Sequence, residues 1–212
     1  SYTEAIAAYK EAIKLDSGSH DLFFNNGTCL LKIGRLEDAK ENYYNTLMLK
    51  PNHAEAYFKL GQILTKLGQY KNCFKNYKKL SRLAPNDPRT FGDLGHLLTT
   101  TQKFKAAEKS FKKALILDPR GVNTYHNLSI VFKELNAFGD GVKHSNRAIL
   151  FEDNFAEAHA VSATLLGLIG DTQSSISAFT KSLIIDVDNH IVWNNVYFPL
   201  KVASFYEPER AK

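Results

Sequence analysis

Apolar residues fall at three- and four-residue intervals through almost the whole chain, in short stretches. Between 57 and 67 the large side chains are Tyr57, Leu60, Leu64 and Leu67; between 70 and 80 they are Tyr70, Phe74, Tyr77 and Leu80. That spacing puts each set on one face of a helix, because an α-helix turns once in about 3.6 residues. Gly68 separates the two stripes and Pro85 follows the second. A glycine allows the left-handed backbone that ends many helices, and a proline cannot continue one. The pattern therefore predicts units of two short helices joined by a tight turn.

The unit recurs every 34 residues. A large ring heads each repeat at Phe23, Tyr57, Phe91, Tyr125 and Trp193, with His159 in the same slot, and a small residue follows four later at Gly27, Gly61, Gly95, Ser129 and Ala163. A second small column runs through Ala5, Ala39, Cys73, Ala107, Gly141 and Ser175, followed by a ring at Tyr9, Tyr43, Tyr77, Phe111 and Phe179, with Ser145 breaking the series. Facing small residues let paired helices approach closely while the rings fill the space beside them. Gly34, Gly68, Asn136 and Gly170 occupy the turn, where Gln102 is the exception. Pro51, Pro85 and Pro119 end the pairs, and Asn52, Asn86 and Asn154 are expected to cap the helices that follow. Counted this way, residues 1–19 are a partial repeat, 20–53, 54–87, 88–121, 122–155 and 156–189 are full repeats, and 190–212 are a partial seventh repeat or a capping helix with a polar tail.

These slots resemble the tetratricopeptide repeat family. Its aromatic, Leu-Gly, small, aromatic, small or apolar and Pro positions are met by Tyr57, Leu60-Gly61, Cys73, Tyr77, Leu80 and Pro85, and again by Phe91, Leu94-Gly95, Ala107, Phe111, Ala114 and Pro119. The resemblance implies an all-α fold, a right-handed superhelical solenoid of antiparallel helix pairs. It also implies that first helices line a concave groove for a peptide or partner segment. Carried over position by position, that groove holds Phe24, Asn25, Thr28 and Lys32, then Phe58, Lys59, Gln62 and Lys66, then Asp93, His96 and Thr100, then His126, Asn127, Ile130 and Lys133. The principal ligand-groove candidates are Asn25, Lys32, Phe58, Lys59, Gln62, Lys66, His96, His126 and Asn127. Asn25, Asn127 and Asn195 share a slot that forms a peptide-gripping asparagine ladder in the repeat arm of O-linked N-acetylglucosamine transferases, but Lys59, Asp93 and Val161 interrupt it here. Phe24 and Thr28 stand where the chaperone-binding members place part of a carboxylate clamp, which argues against that ligand.

Charge is unevenly spread. Residues 54–87 carry seven Lys/Arg against two acids and 88–121 seven against three, whereas 156–189 carry one against four, so the formal net charge of +5 is local. Lys71, Lys75, Lys78, Lys79 and Arg82, with Lys105, Lys109, Lys112 and Lys113, lie on second helices and make the outer face of 71–113 a candidate surface for an acidic partner. Nucleic acid is the least favoured such partner, because base stacking would want exposed rings or arginines among the lysines.

Composition adds exclusions. Six Pro, twelve Gly, 44% hydrophobic and 23% charged residues fit an ordinary folded chain, without a run of about 18 apolar residues to span a membrane. Two cysteines, Cys29 and Cys73, cannot make a disulfide framework or a zinc site alone and fit a reducing, cytoplasmic setting. The sequence has no phosphate loop, dinucleotide fingerprint, nucleophile elbow or His-Glu-x-x-His motif, so no enzyme, cofactor or metal site is expected. His96, His126 and His159 lie on successive first helices without a carboxylate or thiol at ligand spacing.

The ends suggest a longer array. Tyr2–Leu15 reads as a second helix without its partner, and Trp193–Leu200 opens a repeat that Pro199 would break. Two readings therefore stand beside the scaffold: the substrate-recruiting arm of a larger glycosyl- or sulfotransferase, which the tail weakly resembles, and a repeat protein that self-associates end to end. More serines in the last repeats, among them Ser129, Ser145, Ser162, Ser175 and Ser182, predict less regular packing there.

Overall fold

A computed structural model of the chain describes residues 1–187. First helices of thirteen residues alternate with second helices of fourteen. In order they are α1 (Tyr2–Leu15), α2 (His20–Lys32), α3 (Leu36–Leu49), α4 (Ala54–Lys66), α5 (Tyr70–Leu83), α6 (Pro88–Thr100), α7 (Phe104–Leu117), α8 (Val122–Glu134), α9 (Phe138–Phe151), α10 (Ala156–Leu168) and α11 (Thr172–Ile185). Among the described residues no strand occurs, and the fold is an all-α helical-repeat solenoid. The helices fall into two compact units, Ser1–Thr101 with α1 to α6 and a second from Gln102 with α7 to α11.

Local signals explain where each helix stops. In α2 the last turn closes with Arg35 N–H on the Leu30 carbonyl at 3.0 Å and Gly34 N–H on Leu31 at 3.2 Å. The same pair of bonds recurs at Gln69/Gly68, Ala137/Asn136 and Asp171/Gly170. They require a left-handed residue, and Gly34, Gly68, Asn136 and Gly170 have φ of 79°, 68°, 56° and 86°. Gln102, the exception by residue type, is no exception in geometry: its φ is 57°. The caps differ from expectation. Asn52, Asn86 and Asn154 do not cap; the cap lies one residue later, where the His53 ring accepts from Ala56 N–H and the Asp87 carboxylate from Arg89 N–H, while Phe155 has no side-chain cap bond.

In the first unit consecutive helices pack against each other and α4 also touches α6. Tyr43 and Tyr77 are fully buried among Leu30, Leu60, Ile63, Leu64 and Leu80, beside Ala39 and Cys73. Gly61 makes the close approach possible, since a Cβ there would lie 2.6 Å from Cζ of Tyr77. In the second unit Phe111, Leu128, Val131 and Leu165 are fully buried. Two of its serines bond across α10 and α11. Ser175 Oγ donates to the Ala163 carbonyl and Ser182 Oγ to that of Ala156, both at 2.8 Å, so each hydroxyl replaces an apolar contact with a bond between helices. His159 fills its ring slot, buried, with Nε2 2.9 Å from the Asp153 carbonyl oxygen.

Candidate functional site

Two first helices and one second helix of the first unit converge on a cavity of about 270 Å³ lined by Gln62, Thr65, Lys66, Tyr77, Asp93 and His96. Gln62, Thr65 and Lys66 occupy one face of α4, because residues three and four apart on a helix are neighbours. Asp93 and His96 are placed the same way on α6. Tyr77 reaches in from α5, its ring in the core and its hydroxyl at the cavity. Oδ2 of Asp93 accepts from Nε2 of Gln62 at 3.1 Å and from the Tyr77 hydroxyl at 3.3 Å. Burial pushes the Asp93 carboxyl above its usual range, against the opposing pull of those two hydrogen bonds, and burial beside Asp93 pushes the Tyr77 phenol up as well.

Three of the candidates named from sequence, Gln62, Lys66 and His96, thus come together. Asn25 and Lys32 are exposed on α2, away from this cavity. Lys59 lies 3.6 Å from Glu55. Phe58 is not an open anchor: it is 6% exposed, and the Arg89 guanidinium covers its ring at 4.4 Å while pairing with Glu55 and Asp87. In the second unit Asn127 is half-buried, and His126 is packed against Phe155 at 5.0 Å with an unpartnered, buried Nδ1. Burial holds the His126 ring below the ordinary histidine range, against Glu157, although the residue as a whole is half-buried. Asn195, the third member of the interrupted ladder, lies outside the described residues.

From sequence Asp93 is a groove position that interrupts the asparagine ladder and Tyr77 a core ring, and neither is among the principal candidates. A signal was present. Asp93 is the one acid in the slot shared by Asn25, Lys59, Asn127 and Val161, and Tyr77 carries a hydroxyl in a buried slot that Phe111 and Phe179 fill without one. The same logic holds one repeat earlier, where the Tyr43 hydroxyl meets that of Thr28 at 3.1 Å.

Neither His96, His126 nor His159 belongs to a group of possible ligands among the described residues. Three other groups, His20, Asp21 and His53, place one possible ligand atom each within 4.8 Å of one another. Nδ1 of His53 already accepts from Ala56 N–H, which leaves the proton on Nε2, and both histidines sit at positively polarised helix starts. Binding a cation would cost the α4 cap, so His53 is better understood as a capping residue.

The basic outer face is also narrower than charge counts imply. On α5, Lys71, Lys75, Lys78, Lys79 and Arg82 are exposed without an ion-pair partner among the described residues. On α7, Lys112 and Lys105 lie 2.8 and 3.8 Å from Glu108, whose carboxyl the Lys112 hydrogen bond holds low. Cys73 is buried, with Sγ 3.3 Å from the Gly61 carbonyl oxygen, and burial pushes its thiol up, which makes it a packing residue.

Two tetratricopeptide repeat profiles match the chain, one over residues 54–87 and 88–120 and one over residues 1–47. No curated protein sequence gives a match. Among solved structures, YrrB, a TPR protein with an unusual peptide-binding site, is 17% identical with a TM-score of 0.70, covering 88% of this chain and 96% of its own. MamA from Desulfovibrio magneticus RS-1 is 18% identical with a TM-score of 0.74 over 81% and 97% of the two chains. PilF of Pseudomonas aeruginosa is 17% identical with a TM-score of 0.71 over 92% and 94%. At these identities the likeness shows the fold.

Proposed function

Because the chain belongs to the tetratricopeptide repeat family, we propose that it is a non-catalytic scaffold that binds a protein segment across the faces of its first helices. The observation that carries this reading is the convergence of Gln62 and Lys66 from α4 with Asp93 and His96 from α6 on one cavity. An amide, a carboxylate, a cation and a ring offer both donors and acceptors, the requirement for gripping a peptide backbone and an anchor side chain. Nothing in the cavity pairs a nucleophile with a base: Tyr77 donates to a carboxylate that two hydrogen bonds already engage. Peptide binding by YrrB supports the proposal by analogy of fold. The free Cys29 and Cys73 fit action in a reducing cytoplasm, and among the described residues no helix is long and apolar enough to cross a membrane.

Selection from a random peptide library on the immobilised chain, followed by affinity measurement, tests the reading. Gln62→Ala and His96→Ala should each weaken selected peptides about two- to tenfold, the worth of one hydrogen bond. Unchanged affinity in both folded variants would remove the cavity from the binding face, and a library that yields no binder would remove peptide binding itself.

A further inference from the structure

Each lining donor nearest the Asp93 floor has an internal target. The Tyr77 hydroxyl and the Gln62 amide nitrogen both point at Oδ2 of Asp93, and Thr65 Oγ1 donates to the Gly61 carbonyl at 3.0 Å. Toward the cavity these groups leave mainly acceptors, a lone pair of the Tyr77 oxygen, the Gln62 carbonyl oxygen and Oδ1 of Asp93, which has no hydrogen-bond partner among the described residues, beside the second N–H of the Gln62 amide; Thr65 Oγ1 also lies 3.1 Å from Sγ of Cys73. Asp93 also has no cation within ion-pair distance, although Arg89 and His96 on the same helix contribute weak favourable fields. A half-buried carboxylate without a counter-ion loses hydration with no local return.

Resting on the peptide-binding reading, we infer that the cavity receives one cationic side chain of the bound segment, with Asp93 as its counter-ion. A volume of about 270 Å³ decides the size of the guest. It lies just under the roughly 300–1,000 Å³ of drug-sized sites and is ample for one long side chain. Chemistry favours lysine over arginine. An arginine fork is held best by both oxygens of a carboxylate, and Oδ2 is already occupied, whereas three ammonium protons can be met by Oδ1 of Asp93 with the neutral oxygens around it. Lys66 lines the same cavity, is exposed and has no acidic partner among the described residues, so it repels a second cation. The segment therefore carries a single lysine beside neutral or acidic residues, not a basic run.

Asp93 has another role in plain view, as acceptor for the buried Tyr77 hydroxyl. Asp93→Asn separates the two, since an amide oxygen still accepts from Tyr77 and Gln62 while the charge is gone. Peptide libraries are selected on the wild-type chain and on Asp93→Asn, with thermal melting to show that the variant folds. Enrichment of a single lysine by the wild type and its loss in the variant is the expected result. A selected peptide should weaken about tenfold or more when its lysine is acetylated, and its wild-type preference over the variant should vanish. Binders from both proteins without lysine enrichment would overturn the cation pocket and leave the peptide-binding scaffold standing. If neither protein selects a peptide, the scaffold reading fails, and titration with N-acetyl-lysine amide followed by NMR then decides the pocket alone: no shift of the Gln62 side-chain amide overturns it.

Discussion

Gln102 holds a left-handed backbone, φ 57°, in a slot where three of the other four repeats use glycine. A side chain in that conformation costs about 1–2 kcal/mol, partly offset in glycine by the entropy it loses on folding. Gln102→Gly should raise stability by about 0.5–1 kcal/mol in urea melts, and Asn136→Gly should gain less because asparagine tolerates the same conformation. His126 makes a second prediction. Burial holds its ring below the ordinary histidine range, so the unfolded chain takes up a proton at that site more readily than the folded one, and stability is lost as pH falls below about 6.5. His126→Phe, which keeps a ring against Phe155 at 5.0 Å, should narrow the difference in melting temperature between pH 7 and pH 5.5. An unaltered difference would place the titration elsewhere, for example at His53, which burial also holds low.

Helix pairs depend on contacts that side-chain types alone can announce. Gly61 had to be small because Tyr77 lies against it, and both follow from columns spaced by 34 residues. Gly61→Ala forces Cβ to within 2.6 Å of the Tyr77 ring, so an overpacking cost of about 1–3 kcal/mol is expected in equilibrium unfolding. Helices, turns and core slots were legible for this reason: each is set by a local constraint repeated several times. The capping residues were not, since His53 and Asp87 compete with the neighbouring Asn52 and Asn86 and the choice depends on which side chain reaches an N–H two or three residues ahead. The site was half legible. Gln62, Lys66, Asp93 and His96 are groove positions that the family resemblance implies, but the role of Asp93 depends on a tyrosine hydroxyl 16 residues away in sequence. Phe58, a groove position that the resemblance implies, is covered because the fold brings Arg89 over its ring.

Across the whole molecule the formal charge of +5 resolves into distinct surfaces. The cations of α5 have no acids among them, whereas Glu108 neutralises part of the charge on α7. Reversing Lys75, Lys78 and Lys79 to Glu should advance elution from a cation exchanger more than reversing Lys105, Lys109 and Lys112, while melting temperatures stay close, because these side chains are exposed. In the core, by contrast, no charged side chain is buried among the described residues, and polar groups such as Ser175 and Ser182 are tied to carbonyls. Within the first unit, Lys66 stands on α4 and Asp93 on α6, opposite signs on consecutive first helices that border one cavity. A segment crossing from one helix to the other meets them in a fixed order, so its two ends are not interchangeable. The face has a sense of direction, and a peptide synthesised in reversed sequence, with the same composition and net charge, should be a poorer guest than the original.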